Sequence, residues 1–302
     1  MATRFSDWEV PASLPRRLLW LGGRLLAWFL LYAVLETGGA MLLNLVPLAL
    51  VGPAALLGTV STLFAALAAG YALLQWIDHR PARTLGFDLG VAALRMFGWG
   101  AAVGAAILLL VTSVELIAGW LRFHSDSGSP VGWAGVLLRD FFLLGIAAAA
   151  EEAVFRGYAF QAMAAALGGP AATIAGSIAF ALAHSQNPNL NGFAYANIFL
   201  AGVLLSLAVL ITRSLWFATA IHLGWNWAMA SLLDLPVSGL ELFDTPLYEP
   251  SVTGPLWFTG GAFGPEGGLA GTIAFVVGSA FVLKWGSHRW LGRVDGMAHA
   301  DR

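Results

Sequence analysis

Cysteine is absent from all 302 residues, and lysine occurs once, as Lys284. The first absence excludes disulfides, thiolate nucleophiles and Cys-ligated zinc, leaving histidines and carboxylates as the available metal ligands. Charge is scarce altogether: 11% of residues are Asp, Glu, Lys or Arg against 59% hydrophobic, and the mean hydropathy is +0.77. So little polar surface cannot clothe a soluble globule, and the chain is read as a membrane protein whose first partner is the lipid bilayer. The basic residues form no tract of the kind that holds nucleic acid. No repeat of fixed period and no linker between separately folding parts is visible, so one integral domain over 1–302 is expected.

What is present is a series of long apolar runs. A helix crossing the hydrocarbon needs about 20 mostly apolar residues, and windows of that kind fall near 17–36, 54–77, 96–119, 136–163, 170–186, 194–212, 214–233 and 268–286. The expected fold class is all-α, a polytopic membrane protein of about eight transmembrane helices. The residues before Arg16 lack an apolar core, and the run that follows is too long for a signal peptide and has no A-x-A site behind it, so a retained first span is expected. The shorter apolar segment 41–51, bounded by glycines and prolines, reads as an interfacial or re-entrant piece.

Basic residues near span ends collect on the cytoplasmic side. With both termini inside, Arg4, Arg16, Arg17, Arg24, Arg80, Arg83, Arg95, Arg213, Lys284, Arg289, Arg293 and Arg302 are cytoplasmic. The outside then receives Arg122, Arg139 and the acidic loop 234–267.

Against this background "AAAAEEAVFRG", residues 147–157, is anomalous. An ionised Glu near mid-span costs on the order of 2.5–3.5 kcal/mol, so Glu151 and Glu152 need shelter or partners. Arg156 lies four residues after Glu152 and shares its helical face, whereas Glu151 is rotated about 100° away. Glu152 and Arg156 are therefore expected to pair, freeing Glu151 to face something else. His79, His124, His288 and His299 sit in polar stretches, but His184 in "FALAHSQN" and His222 in "IHLGWNW" lie inside spans, the first with Phe180 and the second with Asn226 one turn away. At ~1.5 Å per residue, Glu151 and His184 lie roughly 20 Å from the predicted cytoplasmic ends, and His222 and Asn226 roughly 10–16 Å, so the groups can meet at one level. A carboxylate, two imidazoles and a carboxamide in a membrane-embedded cavity suit hydrolysis: Glu151 and one histidine activate water, and the other histidine and Asn226 donate to the oxyanion.

"EEAVFR" (Glu151 to Arg156), "FALAH" (Phe180 to His184) and "HLGWN" (His222 to Asn226) resemble, in order, the motifs EExxxR, FxxxH and HxxxN/D of the CPBP family. These are the CaaX-processing and bacteriocin-processing intramembrane endopeptidases, also called the Abi family. The resemblance centres on a catalytic core of about 136–233, and "RPARTLGFDLG" before the third span is also similar to the loop preceding the family's core. It implies that Glu151 is the catalytic base, supported by Glu152 and Arg156. It further implies that His184, in the motif with Phe180, helps to hold the water, and that His222 with Asn226 stabilises the oxyanion. Members are described both as metalloproteases and as metal-independent glutamate proteases. Glu151, His184 and His222 are compatible with a catalytic zinc, yet there is no HExxH and the same residues suffice without an ion, so no cofactor is the preferred expectation.

The implied substrate is a membrane-associated peptide or protein. The Ala, Gly and Arg bias points to a bacterial inner membrane, where prenylated CaaX substrates are not expected. The alternative reading is a catalytically silent scaffold or immunity-type protein on the same fold. A transporter is disfavoured because no inverted repeat is visible. Elsewhere, Glu36 and Glu115 are expected to snorkel at outer span ends. The glycines of "TGGAFGPEGGLAGT", residues 259–272, suit tight turns, and Glu266 is expected to cap the last span. Trp225 and Trp227 flank Asn226 and are candidates for shaping the cavity.

Overall fold

The computed structural model describes residues 8–44, 54–241 and 243–300. Helices dominate: α1 (Leu14–Asn44), α2 (Ala54–Trp76), α3 (Val91–Ile117), α4 (Pro130–Arg156), α5 (Tyr158–Leu167), α6 (Gly169–Ala183), α7 (Gly192–Thr212), α8 (Leu215–Trp227) and α9 (Leu269–Ala300). A short antiparallel pair, β1 (Leu121–Ser125) with β2 (Tyr248–Val252), joins the loops before α4 and before α9, with Phe123 opposite Pro250.

All eight predicted windows hold helix, but among the described residues six helical segments are long and apolar enough to cross a bilayer. The fourth window is broken at Gly157, so that α4 and α5 together form its segment. The two windows that fall short carry the histidines: α6 has 15 residues and ends with His184 as its C-cap, and α8 has 13 and passes into a π-helical turn, Ala228–Leu232. Of the segment 41–51, Met41 to Asn44 continue α1, and the remainder lies outside the described residues.

Local chemistry sets the helix starts near the site. Ser129, Asn191 and Ser214 each accept the backbone N–H three residues ahead at the first turn of α4, α7 and α8, satisfying donors that a helix start leaves unpaired. Between helices in hydrocarbon there is little hydrophobic drive, so small residues that permit close backbone approach take over. Gly100 and Gly104 of α3 face α8, and a Cβ at Gly104 would lie 2.0 Å from the Ile221 carbonyl oxygen. From the other side, a Cβ at Gly224 would lie 2.1 Å from the Ala101 carbonyl oxygen. This crossing fixes the height and rotation of α8, and with them His222. The buried core around it contains Leu108, Leu204, Phe217, Ile221, Leu223 and Phe275, while Leu19, Phe64, Leu94, Trp99, Leu138 and Phe142 project outward, as lipid-facing side chains do.

The two ends of the bundle differ in charge. At one, Arg24 pairs with Asp78 at 2.7 Å, and Gly86 O accepts Leu215 N–H at 2.9 Å, bringing the loop with Arg80 and Arg83 beside Arg213 and Ser214. At the other, the β-pair and the loop 234–267 cover the bundle, with Asn187 Nδ2 donating to Ser238 O at 2.9 Å. Glu36 accepts from the Ser61 and Thr62 hydroxyls, whereas Glu115 is only 1% exposed. Glu115 therefore does not snorkel: it faces the bundle rather than the interface.

The acidic end carries a pH response. Asp234 is pushed up from its ordinary 3.8 to about 6, first by burial, then by the charges of Glu249 and Asp244, with hydrogen bonds from Thr245 opposing. A carboxyl that binds its proton more tightly folded than unfolded adds stability that is complete below 3.8 and lost as the pH rises through about 6. Thermal unfolding in detergent is thus expected at higher temperature at about pH 5 than at about pH 7.5, with a smaller difference in Asp234→Asn. An unchanged difference in the variant would exclude Asp234 as the source.

Candidate active site

Glu151 and Glu152 occupy the last turns of α4, His184 the end of α6, and His222 and Asn226 successive turns of α8. The structure brings them to one cavity of about 400 Å³, whose wall includes Glu151, Phe180, His184, His222 and Asn226. Glu151 and His222 belong to helices that meet across the bundle, and Phe180 closes the gap between the two imidazoles. Its ring centroid is 4.6 Å from that of His184 and 6.2 Å from that of His222, and the Arg156 guanidinium lies 4.3 Å from it.

Both imidazoles are anchored through Nδ1. His184 Nδ1 lies 2.8 Å from Phe180 O, an atom that can only accept, so this nitrogen carries the proton and Nε2 presents a lone pair. His222 Nδ1 lies 3.1 Å from Glu152 Oε1, a carboxylate–histidine pairing of the sort that fixes ring orientation. The two Nε2 atoms face one atom, Glu151 Oε2, at 3.8 Å from His184 and 3.9 Å from His222. These separations are too long for direct hydrogen bonds and suit a bridging water. Oε2 is buried without a hydrogen-bond partner, although the Glu151 side chain as a whole is 38% exposed.

Glu152 is fully buried and has two partners on one oxygen, since Oε1 accepts from Arg156 Nη1 at 3.1 Å as well as from His222. Arg156, equally buried, donates through Nη2 to Gly202 O at 3.2 Å. Gly202 also lets α7 pack closely on α6, since a Cβ there would meet Ser177 Cα at 2.9 Å. The expected Glu152–Arg156 pair is present, and the contact with His222 is one that the sequence reading did not foresee.

The residues compatible with zinc match it in donor type but not in spacing. Zinc bonds of roughly 2.0–2.2 Å place tetrahedral neighbours roughly 3.3–3.6 Å apart, somewhat closer than either Nε2 lies to Glu151. Among the described residues, the group of three carboxylate or imidazole ligand atoms lying within 4.8 Å of one another is Asp234, Asp244 and Glu249, all outside the three motifs. Glu151, His184 and His222 form a more open set than that group.

Sequence reasoning missed the far wall of the cavity. Asn187, Val237, Ser238, Leu240 and Glu266 line it. Glu266 does not cap α9: its Oε1 accepts Trp225 Nε1–H at 2.8 Å and its Oε2 accepts the Ser238 hydroxyl at 2.5 Å. The only signal was a carboxylate amid glycines. Trp225 does shape the cavity, whereas Trp227 points away and donates to Leu137 O at 2.9 Å.

Residues 133–228 match the family described as Type II CAAX prenyl endopeptidase Rce1-like. All three motifs lie inside that segment, and the resemblance to the CaaX-processing and bacteriocin-processing endopeptidases drawn from them is borne out there. The match supports an intramembrane endopeptidase in general terms. No curated protein matches the chain.

Proposed function

We propose that this protein hydrolyses a peptide bond of a membrane-associated protein or peptide, with Glu151 as the base that activates water. The observation that carries the reading is the convergence of two imidazole Nε2 atoms on Glu151 Oε2 at 3.8 and 3.9 Å, both rings being anchored from behind through Nδ1. A water held between Glu151 Oε2 and His184 Nε2 gives its proton to Glu151 as its oxygen attacks the scissile carbonyl. Asn226, one helical turn from His222, donates its amide N–H to the developing oxyanion, and His222 in its imidazolium form donates from Nε2, its charge balanced by Glu152. Glu151 then returns the proton to the leaving amine. Glu152, Arg156 and Phe180 are positioning residues that fix the two rings and the end of α4. No step of this scheme requires a metal. Purified protein in detergent is expected to cleave a membrane peptide equally well with and without a strong chelator. Activity abolished by the chelator and restored by zinc alone would contradict this mechanism.

The basic end of the bundle is the cytoplasmic one on the charge rule, which places both termini inside an inner membrane. The cavity wall made by Asn187, Ser238 and Glu266 then lies toward the outer face. Because the chain has no native cysteine, single Cys substitutions report this cleanly. Arg83→Cys is expected to react with impermeant thiol reagents only from the cytoplasm and Asp244→Cys only from outside. The reverse pattern would turn this wall of the cavity toward the cytoplasm.

A further inference from the structure

Glu266 has no part in the water chemistry, yet its position is closely built. Asn197, fully buried in α7, donates through Nδ2 to Glu266 O at 2.8 Å and to Gly268 O at 2.7 Å, and accepts the Thr272 hydroxyl on Oδ1 at 2.7 Å. That carboxamide holds the turn Pro265–Gly267 against the bundle while Trp225 and Ser238 hold one carboxylate oxygen each. Both side-chain partners are neutral. Among the described residues no lysine, arginine or histidine nitrogen lies within 4.0 Å of this carboxylate, and Glu266 is only 6% exposed. A carboxylate offers about four acceptor sites, of which two are used here. Glu266 lines a cavity that holds one other carboxylate, Glu151, and the two imidazoles of His184 and His222, both of which face Glu151 rather than Glu266, and no lysine or arginine.

Burying a carboxylate without a counter-charge is costly, and a cation entering the cavity relieves that cost. The neighbouring wall is apolar, with Leu204, Leu205, Ile221 and Phe275, which suits the methylene stem of a long basic side chain whose charged head reaches a polar partner. We propose that Glu266 is a specificity determinant that binds a lysine or arginine side chain of the substrate, so that this enzyme selects segments carrying a basic residue. The proposal rests on the endopeptidase reading for the identity of the ligand as a peptide, but the recognition itself does not depend on catalysis.

The test uses the intact chain with Glu151→Gln, which retains substrate without turnover, and short lipid-anchored fluorescent peptides in pairs that carry lysine or norleucine at each position in turn. Anisotropy is expected to find one register in which lysine binds about 10- to 100-fold tighter than norleucine, the range of a charge-assisted hydrogen bond. That preference is expected to vanish in Glu151→Gln/Glu266→Gln. Binding indifferent to charge in every register, or absent throughout, overturns the proposal, as does a preference that survives the second substitution. The double variant is required to bind the norleucine peptides as the single variant does, so that a lost lysine preference reports Glu266 and not a lost fold. Cleavage of the same peptides by the wild type is read separately. A lost charge preference alongside cleavage sinks the Glu266 site alone, and a Glu266-dependent preference without any cleavage sinks the endopeptidase reading alone.

Discussion

Glu151→Gln is expected to lower peptide cleavage by at least ~10²-fold, the loss typical of removing a general base, while the protein remains folded. The substitution keeps the shape and removes the proton acceptor at Oε2, the atom facing both Nε2 atoms. That oxygen accepts no hydrogen bond from the protein, so no bond is lost with it. Replacing a charge in an apolar setting by a neutral amide removes a desolvation cost, so thermal unfolding in detergent should be unchanged or slightly raised. A variant that cleaves at the wild-type rate would remove Glu151 from the chemistry. One that unfolds early would make it a structural residue.

The second large effect separates the adjacent glutamate. Glu152→Gln is expected to destabilise the fold by about 3–5 kcal/mol, because Arg156 is left buried without its counter-charge. It should also lose activity, because His222 loses the carboxylate at Nδ1. The double variant Glu152→Gln/Arg156→Gln removes both charges and should recover a large part of the stability, since the penalty lies in the unpaired charge. Its activity should not return, because His222 is still unsupported. Recovery of both together would mean that Glu152 serves only the ion pair. Equal stability of wild type and Glu152→Gln would mean that Arg156 has other compensation.

How far the sequence carries follows from the range of each interaction. The Glu152–Arg156 pair is legible because it is four residues apart on a helix, where geometry is local. The meeting of Glu151, His184 and His222 is legible only as a shared depth, since a rise per residue gives height and not rotation. The Glu152–His222 bond spans 70 residues and joins α4 to α8, whose rotation is set by the Gly104–Gly224 crossing with α3, so no local pattern announces it. The apolar windows locate every long helix, but they do not show that α6 and α8 stop short. Those ends come from polar demands at the site, where "HSQNPN" turns away after His184 and the π-helical turn follows Asn226. Glu266 was least legible. Its glycine-rich surroundings signal a turn, and where that turn folds back is decided by Asn197, 69 residues earlier.

The central claim, that this site cleaves a membrane-associated protein, is tested most directly by comparing the protein termini present in membranes of cells that carry the wild type or Glu151→Gln at equal abundance. At least one membrane-associated protein is expected to show a new terminus with the wild type and to accumulate uncut with the variant. Identical termini in the two membranes, with both proteins folded and present, would contradict the claim.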